Sequence, residues 1–530
     1  MRATVPFGML TLTRVEPQTV KHVPSKSSEP LFVAEQNCWR VAKADKLSLI
    51  VDAAEYFEML RKVFISAERE LLLIGWDFDF EIEMLPGQSD DDGNAPDGLP
   101  NQLGAFLEAV VEKAPDLHVY LLKWNGAVLA APGRLMPTLA LSVFGSDRIH
   151  FALDGHHPFG ACHHQKIVVA DSALAFCGGI DATEGRWDTP DHLPDDPRRV
   201  CKDGSPSTPW HDATSALSGP VAAALAELSR ERWHRATGET LEKPQPSSMA
   251  LWIEDAEVHA SDVDVAIART EPLYNGAPLI NEIEQLFLAS IRKAKEMIYI
   301  ESQYFAAESI FKAVKARLRE RDGPEIVVVN PLSAESDLED DAMHVTRGRM
   351  IRRLKRADRH DRFRIFYPAT TAGDPIYVHA KIMIADDNVL HLGSSNLNDR
   401  SMGFDTECNV AVEGQHQMIA QFRTRLLSEH LDVTPEVFNE TLQRTKSLVA
   451  TIEQLNSPTG RGLRKIKRRK ESLRGKLLAK FRLLDPRYHP GEQSSAGKGL
   501  RPRHITMAAG SALAGYVGWL LLRQKDDDGE

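Results

Sequence analysis

At 530 residues the chain exceeds one typical domain, so two hydrophobic cores or one duplicated core are expected. Its 42% hydrophobic and 26% charged residues are those of an ordinary globular protein, which excludes a disordered or fibrous chain. The net charge of −11 conceals an asymmetry, because residues 461–503 carry about fifteen Lys or Arg against three acids. The remainder is therefore markedly acidic, which argues against nucleic acid as the main partner, since affinity there comes mostly from neutralising phosphates.

Residues 1–45 show no clear pattern and are left unassigned. The start MRATVPFGML has no long apolar run, so no secretory signal is expected. Asp52 to Arg69 recurs at helical spacing, and Leu71 to Phe78 reads as a buried strand. The Asp-, Gly- and Pro-rich stretch from Pro86 to Pro100 is a surface loop. A helix over Gln102 to Ala114 and a strand over His118 to Trp124 follow. After a polar excursion from Asp188 to Pro209, a helix over Val221 to Thr237 closes this half. The order then returns: helix at Leu279–Lys295, strand at Met297–Phe305, helix at Ala307–Glu320, strand at Glu325–Pro331, helix at Ala342–Ala357, strand at Phe363–Tyr367. The five cysteines, Cys38, Cys162, Cys177, Cys201 and Cys408, have no CxxC spacing, so free thiols in a reducing compartment are expected and a zinc site is not.

Each half leads into the same pattern: His164, Lys166 and Asp171 in HHQKIVVAD, and His379, Lys381 and Asp386 in VHAKIMIAD. The copies lie about 215 residues apart, and each is followed by a second strand-like run and a glycine turn. Ile167–Ala170 and Ile382–Ala385 are apolar and read as strands buried on both faces. On a strand, alternate residues share a face, so each His and its Lys point the same way. A nucleophile or acid beside a fixed cation is half of a phosphoryl site. Asp171 and Asp386 are counted with the catalytic set, although they fall where the chain doubles back, which equally suits a structural role.

The repeated units predict an α/β fold: a duplicated α/β/α sandwich whose halves, residues 46–240 and 241–435, face each other about a pseudo-twofold with the active site at their interface. The chain resembles the two-motif phospholipase D superfamily, nearer its phospholipid-cleaving branch than its nucleases. The likeness extends to GGIDATEGRWDTPDH (Gly178–His192), PWHD (Pro209–Asp212), IYIESQYF (Ile298–Phe305), GSSNLNDRSMGFDTE (Gly393–Glu407) and LLSEHL (Leu426–Leu431).

The resemblance implies a two-step displacement, with His164 as nucleophile and His379 as general acid and base. It implies that Lys166, Lys381 and Asn396 bind the phosphate, with Asp181 in the corresponding first-half position, where many relatives have Asn. Asp212 would orient His164 and Glu407 would orient His379. Gln303 and Tyr304 would line the pocket. No metal or other cofactor is implied, and the partners are a phospholipid membrane substrate and a water or alcohol acceptor, without nucleic acid. His156, His157 and His163 read as loop or supporting residues, and Trp76, Trp187 and Trp210 as packing.

Residues 436–504 read as a helical, basic, membrane-proximal segment. In it Leu463–Leu484 sets an apolar stripe amid dense base, which fits an anionic membrane surface or packing on the catalytic body. Residues 505–522 are an uncharged run of eighteen, just long enough to span a bilayer. More positive charge precedes the run than follows it, so a tail-anchored enzyme facing the cytoplasm is expected, with a cytoplasmic, peripheral protein as the alternative.

Overall fold

The computed structural model describes residues 30–126, 145–244, 251–253 and 255–467, with residues 472, 475 and 485–487 beyond them. Strand β1 (Arg40–Val51) leads through α1 (Ala53–Ser66), β2 (Glu70–Gly75), α2 (Leu103–Lys113), β3 (His118–Trp124) and β4 (Ile149–Asp154) to the first motif strand, β5 (Ile167–Ala170). It returns as β6 (Leu174–Gly178), and β7 (Trp210–His211), β8 (Ala213–Ser218) and α3 (Pro220–Thr237) follow. The chain then runs through β9 (Ala260–Glu271), β10 (Ile280–Asn281), α4 (Glu282–Lys293), β11 (Met297–Glu301), α5 (Glu308–Arg319), β12 (Glu325–Val329), α6 (Asp337–Ala357) and β13 (Phe363–Ala369). Next come β14 (Tyr377–Val378), the second motif strand β15 (Ile382–Ala385), β16 (Val389–Gly393), β17 (Glu407–Glu413) and α7 (His416–Leu431). Finally α8 (Pro435–Thr445), α9 (Leu448–Leu455) and β18 (Gly462–Lys465) complete the described elements.

One sheet carries the order β18-β13-β12-β11-β15-β16-β17-β9-β1-β8-β6-β5-β2-β3-β4. Read outwards from the antiparallel β9–β1 seam, β17 answers β8, β16 answers β6 and β15 answers β5. The parallel trios β11-β12-β13 and β2-β3-β4 lie beyond them. Every residue of β5 and of β15 is buried, which is why both read as unbroken apolar runs.

Helices cover both faces of the sheet. On one face α3, α7 and α9 pack onto a core shared by both halves, in which Val169, Leu217, Ile267, Ile384 and Phe422 meet. On the other, α1 and α2 close a core around Phe57, Phe106 and Phe176, and α4, α5 and α6 close one around Phe287, Phe311 and Leu354. This is the expected α/β/α layering. Replacing Ile384 by Ala would open a hole in the shared core and cost about 2–5 kcal/mol.

Several expectations change. The seam strands β1 and β9 and the edge strand β4 are additions to the sequence reading, and the span left unassigned already forms strand from Arg40. The His-x-Lys pairs sit just ahead of β5 and β15, in extended backbone, rather than within the strands. Leu463 belongs to β18, paired with Pro368 of β13 and buried, so the amphipathic-helix reading fails at its first residue. Most of the remaining basic segment, and all of 505–522, lie outside the described residues. Among the described residues no helix is long and apolar enough to cross a membrane.

Candidate active site

The two motifs deliver their histidines to one cavity. His164 and His379 both line a space of about 340 Å³, within the usual range for a small-molecule site. Each motif's backbone is tied to the opposite half. The His164 N–H donates to the Thr406 carbonyl at 3.0 Å, and the His379 N–H donates to the His211 carbonyl at 2.7 Å. The short strand β7 pairs in parallel with β14, immediately before His379. His163 forms the matching bridge with Thr406.

That cross-half pairing decides which carboxylate meets which imidazole. His164 Nδ1 lies 2.9 Å from Glu407 Oε2, and His379 Nδ1 lies 2.6 Å from Asp212 Oδ2. The sequence reading had the carboxylates right and their partners reversed. Asp212 follows His211 directly, so the β7–β14 bridge carries it to His379, and Thr406 likewise carries Glu407 to His164. With Nδ1 engaged, each ring has Nε2 as its free nitrogen.

The phosphate-binding candidates differ between the halves. Lys166 Nζ pairs with Asp181 Oδ2 at 3.0 Å. Lys381 Nζ donates to the carbonyl of His379, and among the described residues no carboxylate lies within ion-pair distance of it. The position matching Asp181, three residues after the glycine that ends the hairpin strand, holds Asn396. Its amide donates to Gln303 Oε1 at 3.2 Å. Gln303 in turn donates to Tyr304 and Tyr377, each at 3.0 Å, and both Gln303 and Tyr304 line the cavity as expected.

Burial dominates the electrostatics. It holds both imidazoles well below their ordinary value, aided by Lys166 and Lys381 at His164 and by Lys381 and Arg186 at His379. Burial also raises the Asp212 and Glu407 carboxyls. The Lys381 amine is pushed down to about 7, again chiefly by burial. Neither Lys166 nor Lys381 is among the residues that line the cavity; the cationic side chains that do are Arg186 and Arg400.

Asp171 and Asp386 are not part of the cavity. Each sits at the far end of its strand, roughly 13 Å of strand beyond the His-x-Lys pair. Asp171 accepts the N–H groups of Glu68, Arg69 and Glu70, each at 2.8 Å. Asp386 accepts those of Lys295, Glu296 and Met297 at 2.7, 2.8 and 2.9 Å. Both have positive φ, 51° and 54°, as do the residues after them, so their carboxylates lock a tight hairpin to the start of the neighbouring strand. Their role is structural, which corrects their place in the catalytic set.

Of the other predicted residues, His163 is fully buried, with Nδ1 3.2 Å from Asp154. His157 meets the Trp124 indole N–H at 3.0 Å, and His156 packs on Tyr274. Trp187 packs against the α1–α2 core, as expected. Trp210 is also buried, stacked on Tyr377 at 4.5 Å and tilted against His379 at 5.1 Å. Trp76 does more than pack, since it lines the cavity. The sequence reading missed Arg186, whose guanidinium lies over Trp210 at 4.0 Å and pairs with Glu335 at 2.6 Å inside the cavity. It also missed Arg400, which lines the same cavity and is paired with Asp405 at 2.6 Å. Both stand in the quoted blocks GRWDTP and NDRSMGFD, where an arginine within a phosphate-site motif was the available signal.

Comparison with known proteins bears on the family and the fold. A family model described as Phospholipase D matches residues 152–321, and one described as Cardiolipin synthase, PLD-like domain matches residues 287–429. Phospholipase D A of Dictyostelium discoideum is 23% identical over 491 residues, covering 76% of this chain and 37% of that protein. Phospholipase D alpha 2 of Arabidopsis thaliana is 25% identical over 401 residues, covering 52% of this chain and 50% of that one. The chain thus spans half or less of the length of these relatives. In fold it is similar to the phosphatidylserine synthase of Haemophilus influenzae Rd KW20, with a TM-score of 0.51 and 12% identity over 78% of this chain and 96% of the other. Two family models that together match residues 152–429, and curated phospholipases D that are similar over 76% and 52% of this chain, place it in the phospholipase D superfamily.

Proposed function

We propose that this chain is a phospholipase D that cleaves the distal phosphodiester of glycerophospholipids to phosphatidic acid and a head-group alcohol. The observation that carries the reading is the meeting of two imidazoles from different halves in one cavity, each held at Nδ1 by a carboxylate. His164 Nε2 attacks phosphorus, and His379 gives a proton to the departing alcohol. Water, activated by the same His379, then cleaves the phosphohistidine bond. Lys166, Lys381 and Asn396 hold the non-bridging oxygens, where charge builds in the transition state. The buried, neutral imidazoles favour the attacking role, and the bound phosphate anion supports protonation of the second ring.

A covalent intermediate can be intercepted. A primary alcohol supplied with phosphatidylcholine should yield the phosphatidyl-alcohol beside phosphatidic acid, and hydrolysis without any transfer product would count against the route. His164→Ala and His379→Ala should each lower turnover by at least about 10³-fold.

The family model matching the second half favours one other reading, a phosphatidyltransferase that uses a lipid alcohol as acceptor. Incubation with phosphatidylglycerol separates the two, because only the transferase accumulates cardiolipin. For localisation, the uncharged run 505–522 and the bases before it are the segment we assign to membrane attachment, with the catalytic body on the cytoplasmic face. Removing residues 505–530 should shift the protein from the membrane to the supernatant fraction; unchanged sedimentation would reject that assignment.

A further inference from the structure

Behind Asp212 lies a second buried cluster that the phosphodiester chemistry leaves unused. Asp52, immediately before α1, and His192, in the excursion after β6, meet His211 of β7 and Glu429 of α7. His192 Nε2 is 3.1 Å from Glu429 Oε1 and 3.5 Å from Asp52 Oδ2. His211 Nδ1 is 3.2 Å from the same Glu429 oxygen and 3.4 Å from Asp52 Oδ1. Ligands held about 2.05 Å from a tetrahedral metal stand roughly 3.3 Å from one another. The two separations from Glu429 Oε1, 3.1 and 3.2 Å, stand near that edge length, the two from Asp52 are made by different oxygens, and one ligand atom of each residue lies within 4.8 Å of the other three.

The outer contacts have the form that metal-binding histidines require. The other nitrogen of each ring is held by a further carboxylate, His192 Nδ1 by Asp188 at 2.9 Å and His211 Nε2 by Glu301 at 2.9 Å. Those carboxylates are themselves fixed, Asp188 by Arg199 at 3.1 Å and Glu301 by His430 at 2.9 Å. Inside the cluster, among the described residues, Asp52 Oδ2 and His211 Nδ1 make ion-pair contacts of 3.2–3.5 Å but no well-formed hydrogen bond, although their residues are only 1% and 0% exposed. Asp52 also holds φ 67° and ψ 158°, a conformation that essentially only glycine adopts freely.

We propose that Asp52, His192, His211 and Glu429 bind one divalent transition-metal ion of the zinc class. Two imidazoles and two carboxylates converging within 4.8 Å suit zinc, whereas calcium takes six to eight oxygens at longer distances. The ion is a positioning element. The Asp212 N–H donates to Asp52 Oδ1 at 3.0 Å, and the His211 carbonyl accepts from His379. A metal there fixes Asp212 beneath His379 and ties α7 of the second half to β7 of the first. The cysteine pattern gave no sign of it, because the ligands are spread over 377 residues and none is a thiol.

The test is metal analysis of the full chain purified from zinc-supplemented medium. About one zinc per chain is expected. Chelator-treated protein should unfold at a lower temperature, with zinc restoring the original value and calcium or magnesium failing to do so. Cobalt substitution should give the visible absorption of a tetrahedral site, and His192→Gln and Glu429→Gln should each abolish it. Wild-type protein without zinc, and with a melting temperature indifferent to added zinc, would overturn the proposal whether or not the variants fold, and would leave an internally neutralised ion network in its place.

Discussion

The two copies of the motif share a backbone plan but differ in the charge around their lysines. In the first, Lys166 pairs with Asp181 at 3.0 Å; in the second, Asn396 stands at the matching position, and among the described residues Lys381 bonds only the carbonyl of His379. Among the described residues the second half therefore keeps its cation without a direct ion pair, and burial, opposed by the charge of Asp212, pushes the amine down to about 7. The first half keeps a paired cation and must give up part of that pair to a phosphate. The two half-sites are similar in plan, and one difference, Asp181 against Asn396, makes them unequal. On the proposed chemistry, Lys381 and Asn396 would be the sharper phosphate recognition pair.

Changes that break the comparison outright act on the orienting carboxylates. Asp212→Asn and Glu407→Gln should each lower kcat by about 10²- to 10⁴-fold, because an amide at Nδ1 no longer fixes the productive tautomer. Nitrogen-15 spectra of the histidines would show which ring each carboxylate governs. Asp212→Asn should disturb His379 and spare His164, and the opposite pattern would reject the cross-half pairing.

Exchanging the unequal positions is a milder perturbation. Asn396→Asp gives Lys381 a counter-ion and removes an amide donor, so kcat/KM should fall about 10-fold or more. Asp181→Asn frees Lys166 and should lower KM for the phospholipid a few-fold. Steady-state kinetics on mixed micelles measure both; a gain in the first variant and a loss in the second would contradict the asymmetry.

The pH dependence follows from Lys381. Its folded value, about 7, lies below its ordinary 10.5, so the empty site loses this cation as pH rises through about 7. The ratio kcat/KM, which reports the free enzyme, should decline above that pH, and Asn396→Asp should move the decline upward. The smallest effect is on stability. The native state binds fewer protons than the unfolded state between about 7 and 10.5, so stability rises with pH across that window, and the cost of the buried amine is fully present below it. Lys381→Met should therefore abolish activity yet raise the melting temperature by a few degrees near neutral pH, read by calorimetry.

Much of the site was legible because strand periodicity and repetition are local signals. The His-x-Lys pairs, Asn396, Gln303 and both carboxylates could be placed from the chain alone. What the chain did not reveal was contact across the seam. The β1–β9 seam and the β7–β14 bridge send Asp212 and Glu407 to the opposite halves, and nothing in the spacing of PWHD or DTE specifies that crossing. β9 alternates cleanly at Val263, Val265 and Ile267, a readable strand outside the reading, whereas β1 begins with polar, exposed positions that mask it. The buried cluster at His211 is a stronger case of the same limit, since its ligands come together only when four distant segments fold.

The account rests on His164 and His379 acting on one phosphorus in sequence. Its most direct test uses the His379→Gln protein with a phosphatidyl ester of p-nitrophenol, a leaving group that needs no proton, followed by rapid quenching and mass spectrometry of the peptides. A phosphatidyl adduct on the peptide containing His164, missing when His164→Gln is added, is the predicted result. Nitrophenol release with no adduct, or with the adduct on any other residue, would contradict it.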